Sequence, residues 1–200
     1  MTFKKKYHNW GDGKVSYIEW DKDISMPGLQ FCHATGFNAL TYKKLLEPLS
    51  DLFHIRAEDA RGHGFTETSA IPKTIFDWKI YRDDLIQSVE NFVESKGEPI
   101  VLSGHSMGGA SVMQVAAKRP DLVSGIVLVE PVLISKMSLN ILKIAKKFPI
   151  NKSIPIIKEM TSRSDSTLKR RVEFPNKEMI LKSYRGRGAF ATWEDGFLED

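Results

Sequence analysis

Residues 101–110 read VLSGHSMGGA, a serine set between glycines at the end of an apolar run. A serine hydroxyl is a weak nucleophile at neutral pH and needs a neighbouring base to take its proton. A strand–turn–helix junction of the form glycine-x-serine-x-glycine provides a suitable place for such a group. Gly104, Gly108, Gly109 and Ala110 leave little side-chain bulk around the turn, so it can be tight. The Ser106 hydroxyl would then stand exposed at the top of a sheet. The helix that follows points its N-terminus at the same place and favours developing negative charge there. Acyl transfer through Ser106 is the chemistry this stretch could perform. The base is the difficulty. The five histidines are His8, His33, His54, His63 and His105, and none follows Ser106.

The elements that would position the serine can be read along the chain. KVSYIEW (14–20) alternates and predicts a half-exposed strand. GLQFCH (28–33) predicts a buried one. TYKKLLEPLS (41–50) places Tyr42, Leu45, Leu46 and Leu49 on one helical face. FHIRAED (53–59) predicts a strand running into the glycine-punctuated loop ARGHGFT. From Asp83 to Lys96, apolar residues recur at helical spacing, and Gly97 stands where a C-cap glycine belongs. PIVLSG (99–104) is a strand, 107–119 a helix ending before Pro120, and SGIVLVEP (124–131) another strand. Strands alternating with helices imply a mostly parallel sheet. The continuous apolar runs at 100–102 and 126–129 imply a sheet covered on both faces. After Pro131 the pattern becomes short helical pieces with prolines at 149, 155 and 175. The expected organisation is a sheet domain over 1–131 and a helical appendage over 132–200.

Composition sets bounds. The chain has 200 residues, 42% apolar and 27% charged, as in an ordinary globular protein. No apolar run approaches the roughly 20 residues needed to cross a bilayer, and the N-terminus lacks the apolar stretch of a secretory signal. Cys32 is the only cysteine, so neither a disulfide framework nor a cysteine metal site is available, and a reducing, cytoplasmic setting fits best. Residues 131–200 carry 14 Lys and Arg against 8 Asp and Glu, a net +6, whereas 1–130 carry 15 against 17, a net −2. Scattered among apolar residues, those lysines read as a solvated helical face rather than as a site for an anionic partner. KKK (4–6) and KRR (169–171) are too short to read nucleic acid, and GRG (186–188) follows no apolar strand that would make it a phosphate loop.

Three motifs in order, HATGFN (33–38), DARGHG (59–64) and GHSMGG (104–109), resemble those of the α/β-hydrolase superfamily over roughly residues 14–131. The resemblance implies an α/β fold with a mostly parallel sheet, helices on both faces and a helical cap inserted after the sixth strand. It also implies roles. Ser106 would be the nucleophile. The backbone N–H of Met107 and of Thr35 would hold the oxyanion, with Ala34 standing where the family has glycine. His33 would brace the loop. Glu130 lies where a minority of the family places its acid, and Asp59 would brace the RGHG turn. The family order serine, acid, histidine implies that the base, and the last strands of the sheet, belong to chain beyond residue 200. Such a truncation would leave an open strand edge prone to association.

The expected activity is that of a serine hydrolase acting through an acyl-enzyme on a small ester or related acyl compound, inactive as these 200 residues alone. No cofactor or metal is called for, no nucleic acid is expected, and the partner is a small-molecule acyl substrate. A serine nucleophile argues against epoxide hydrolases and haloalkane dehalogenases, which use aspartate there. Phe148, Ile156, Met160 and Phe190 would line an acyl pocket or else pack between cap and core. The competing expectation is a non-catalytic binding module of the same fold, argued from the missing histidine.

Overall fold

The computed structural model describes residues 3–70, 78–133, 173–194 and 196–199. The chain divides into two compact units, 1–132 and 133–199. Phe148, Ile156 and Met160, and the prolines at 149 and 155, lie outside the described residues.

The first unit holds one six-stranded sheet. Its strands are β1 (Lys4–Trp10), β2 (Gly13–Trp20), β3 (Gly28–Cys32), β4 (His54–Glu58), β5 (Ile100–His105) and β6 (Val123–Val129). Their spatial order is β1-β2-β4-β3-β5-β6. β1 and β2 form an antiparallel hairpin, and β2 meets β4 antiparallel. From β4 through β3 and β5 to β6 the sheet is parallel. The helices are α1 (Lys43–Leu46), flanked by 3-10 turns, then α2 (Lys79–Lys96) and α3 (Met107–Lys118). Parallel strands need such crossovers, because a hairpin cannot join them.

Side chains alternate across the sheet and build a core on each face. Leu29, Phe31, Ile55 and Ala57 face Tyr42 and Leu46 on one side. Ile100 and Leu102 meet Leu85, Val89, Phe92, Val112 and Val115 of α2 and α3 on the other. Each Val, Leu, Ile or Phe side chain fully buried there contributes about 1.5–3 kcal/mol. α2 closes at Gly97, whose φ of 71° and N–H bond to the Val93 carbonyl (2.8 Å) form a left-handed cap.

Three expectations change. β2 is buried along most of its length rather than half-exposed. It lies inside the sheet, and its buried Glu19 accepts from His54 Nε2 (2.9 Å), Arg56 Nε (2.7 Å) and Lys6. Leu45 and Leu49 are exposed, because the 41–50 stretch breaks into short turns and only Tyr42 and Leu46 keep a core-facing direction. β6 pairs with β5 alone among the described strands, and Ile126, Val127 and Val129 are exposed.

In the second unit, α4 (Lys177–Tyr184) starts at Asn176, whose side-chain oxygen accepts from Met179 N–H at 2.9 Å. Tyr184, Phe190 and Trp193 stack edge to face with centroids 5.0 and 4.9 Å apart.

Gly108 lies where α3 comes closest to β3 among its glycines. A Cβ there would lie 2.2 Å from the Cys32 carbonyl oxygen. Gly108→Ala is expected to destabilise the chain by about 1–3 kcal/mol or more in denaturant unfolding. Gly125→Ala, whose Cβ meets nothing within 4 Å, is the control expected to stay within ±0.5 kcal/mol.

Candidate active site

The turn between β5 and α3 carries Ser106 with φ 53° and ψ −111°. A left-handed φ is uncommon for a residue with a Cβ and costs of order 1–3 kcal/mol. The surroundings fix it. Ser106 N–H donates to the Val129 carbonyl (3.0 Å), and its own carbonyl accepts from Ala110 N–H and Val132 N–H, both at 3.1 Å. The glycines allow the close approach. A Cβ on Gly104 would sit 2.5 Å from Gly108 C, so strand and helix nearly touch. Ser106 is half-buried, and Met107, the next residue, is buried at the first position of α3. Its N–H, like that of Thr35, has no backbone acceptor among the described residues.

Thr35 lies on an exposed turn after β3. Its N–H belongs to the same peptide unit as the Ala34 carbonyl, and a trans peptide directs the two oppositely. That carbonyl accepts from His33 Nδ1 (2.8 Å) and from Phe37 N–H (3.1 Å). The peptide is thereby oriented from its carbonyl side. His33 Nε2 accepts from Ala60 N–H at 2.9 Å, which fixes the tautomer with the proton on Nδ1. Burial, before any other cause, pushes the imidazole down to about 4, so His33 is neutral. Both of its ring nitrogens are engaged in holding loops. Ala34 needs no glycine, because the left-handed position falls on Gly36, with φ 80°.

Asp59 joins the same loops from the other side. Its Oδ1 accepts from Ala39 N–H (2.8 Å) and its Oδ2 from Phe65 N–H (2.9 Å). A Cβ on Gly64 would lie 2.3 Å from that carboxyl group. His63 Nδ1 lies 3.0 Å from the Arg61 carbonyl oxygen. The glycine-rich DARGHG stretch is therefore a buttress whose side chains bond to loop backbone.

Glu130 follows β6 with φ 44°, with Ser106 one of two non-glycine residues at positive φ among the described residues, and it is exposed. Its charge acts on His105, opposing the burial that lowers that imidazole's pKa. No hydrogen bond among the described residues joins it to Ser106. His105 instead meets Tyr42, whose Oη lies 2.7 Å from Nδ1. The same oxygen accepts from Ala34 N–H at 3.0 Å. Its own hydrogen is therefore free for His105, and one hydroxyl ties the loop of Thr35 to the residue before Ser106. Sequence reasoning counted Tyr42 only as an apolar face residue. Periodicity registers the ring and carries no information about the hydroxyl. No group of three or more His, Cys, Asp or Glu among the described residues could hold a metal ion.

The sheet order and the serine turn define an α/β hydrolase. Residues 29–179 match the family described as serine aminopeptidase, S33, and the chain belongs to it. The monoglyceride lipase of Mus musculus is 34% identical over 149 residues, 72% of this chain and 48% of that enzyme. The 2-(acetamidomethylene)succinate hydrolase of Mesorhizobium japonicum is 32% identical over 106 residues, 53% of this chain and 36% of that enzyme. A thioesterase domain from the curacin biosynthetic pathway shares the fold, with a TM-score of 0.72 over 100% of this chain and 66% of that one, at 18% identity. The chain thus spans about half or less of the length of these curated relatives.

Tyr42→Phe keeps the ring contacts with Phe31 (4.6 Å) and Phe37 (6.0 Å) and removes the shared hydroxyl. Leaving a buried N–H unpaired costs about 1–3 kcal/mol. Amide hydrogen exchange at Ala34–Phe37 is expected to quicken about tenfold or more, with β3 and β5 still protected. Unchanged exchange in the loop would show that the hydroxyl holds nothing.

Proposed function

We propose that this chain carries the nucleophile and oxyanion site of a serine hydrolase that cleaves a small ester or related acyl compound. The strained backbone at Ser106 is the observation that carries the reading. An ordinary strand–helix turn has no need of a left-handed serine, and such strain gathers where geometry serves chemistry. In this reading Ser106 Oγ attacks the acyl carbon and forms an acyl-enzyme. The carbonyl oxygen, becoming negative, is received by the N–H groups of Thr35 and Met107. Donors fixed in advance cost no reorganisation at the moment of reaction and lower the barrier by several kcal/mol. Water then releases the acid. The curated relatives named above include a monoglyceride lipase and a 2-(acetamidomethylene)succinate hydrolase, and both names fit a hydrolase.

His33 and His105 are each tied to other groups, so neither is assigned as the base in this reading. Glu130 is the acid candidate within the chain, and residues 132–200 are assigned as its cap segment. A second reading, a binding module without catalysis, is favoured by the same lack of a placed base.

Added imidazole separates the two. A fluorophosphonate probe is expected to label Ser106 slowly in this chain and at least about tenfold faster with imidazole, which can stand in for the base. Intact mass and peptide mapping would follow the adduct, with Ser106→Ala as the unlabelled control. No adduct at Ser106 even with imidazole would favour the binding module.

A further inference from the structure

Glu58 ends β4 on the face covered by α2 and α3, and it is 7% exposed. Its Oε2 is buried with no hydrogen-bond partner, and so is the hydroxyl of Ser88 on α2. The Ser88 hydroxyl is near enough to favour the carboxylate, yet the two do not meet in hydrogen-bond geometry. The charged groups nearby are already committed. Both oxygens of Asp84 are held by Arg61, at 2.7 and 2.8 Å, and Arg61 Nη1 donates to the Ser69 carbonyl (2.7 Å) and meets Asp12. Ser111 donates to the Met107 carbonyl (3.2 Å), which leaves its lone pairs open.

Beside Glu58 the structure contains a cavity of about 30 Å³, lined by Cys32, Glu58, Arg61, Asp84, Met107 and Ser111 among others. A water needs only about 10–15 Å³ of such space, together with polar partners. Buried polar groups in folded proteins are almost always satisfied, by protein or by ordered water. We propose that this cavity is a hydration site, in which one or two ordered waters bridge the Glu58 carboxyl group to Ser111 in the first turns of α3. The site lies directly behind Met107 and Gly108, so the water completes the polar packing under the serine turn. The inference stands whether or not Ser106 is a nucleophile.

The protonation state fits this role. Burial pushes Glu58 up to about 8, and the charges of Asp84 on α2 and of Asp59 next to it act the same way. Arg56 on β4 opposes them. On β3 the Cys32 thiol is held neutral by its burial, Tyr17 on β2 and Tyr81 on α2 are likewise pushed up, and His33 after β3 is kept neutral. α3 presents no charge to the cavity. At pH 7 Glu58 is then a carboxylic acid with a proton to donate, and water gives that proton an acceptor.

The test is a crystal structure resolving ordered water, paired with water–amide NOE measurements on the same chain. Water within hydrogen-bond distance of the side-chain carboxyl or carboxamide group is expected in the native chain and in Glu58→Gln, and is expected to be lost in Glu58→Met. A dry cavity that takes up xenon under pressure would overturn the proposal, as would a Glu58 carboxyl bonded directly to Ser88. The native and Glu58→Gln chains decide the matter even if Glu58→Met fails to fold. A pH series adds a second readout. Between about 4.5 and 8 the unfolded chain gives up the Glu58 proton that the fold retains, so native stability falls as pH rises. Gln carries no such proton. The Tm of Glu58→Gln minus that of the native chain is expected to grow from pH 5 to pH 8. A constant difference over that window would contradict a neutral buried carboxyl group.

Discussion

The contact between the start of α3 and the ends of β3 and β5 governs everything at the top of this sheet. Gly108 meets the Cys32 carbonyl, and Gly104 meets Gly108, at separations that no Cβ could occupy. Because the helix begins so close to the strands, the connecting residue must turn sharply. Ser106 takes up that turn with a left-handed φ. Its hydrogen bonds to Val129, Ala110 and Val132 then hold the strained residue in place from β6, from α3 and from the segment beyond β6. The strain is local, whereas the groups that over-determine it come from three different parts of the chain.

The second requirement is that a peptide group, rather than a side chain, be aimed. Backbone N–H groups have no rotamers, so their direction is set by whatever holds the neighbouring carbonyls and amides. Around Thr35 this falls to His33, Phe37 and Tyr42. His33 can do so because burial keeps it neutral, with one nitrogen donating and the other accepting. A charged imidazole would have two donors and would lose the bond from Ala60. Asp59 has the complementary chemistry: two oxygens, each accepting one loop N–H. The serine turn, the Thr35 loop and the DARGHG loop therefore behave as one hydrogen-bonded assembly resting on the sheet.

The strands and long helices were legible because their signal is periodic. The run 28–33, the helix over 83–96 with Gly97 and the turn at Ser106 all appear where residue spacing placed them. Burial on β2 was not legible, because a strand carrying Ser16 and Glu19 looks solvated until Arg56, His54 and Lys6 are seen to satisfy the Glu19 carboxylate. The outward turn of Leu45 and Leu49 was hidden too, since 3-10 turns break the helical period that placed them inward. At the site, the motif residues could be named from sequence, but their wiring could not. Tyr42 reads as an aromatic core residue and Glu58 as a polar strand end. Only three-dimensional neighbours show that one hydroxyl joins two loops and that one carboxyl group lacks a partner.

The most direct test of the account is a crystal structure of this chain with Ser106 phosphonylated by the fluorophosphonate probe. The account predicts a phosphoryl oxygen at hydrogen-bond distance from both Thr35 N–H and Met107 N–H, with Ser106 still at positive φ. An adduct whose oxygen faces solvent, or a serine relaxed to negative φ, would contradict it.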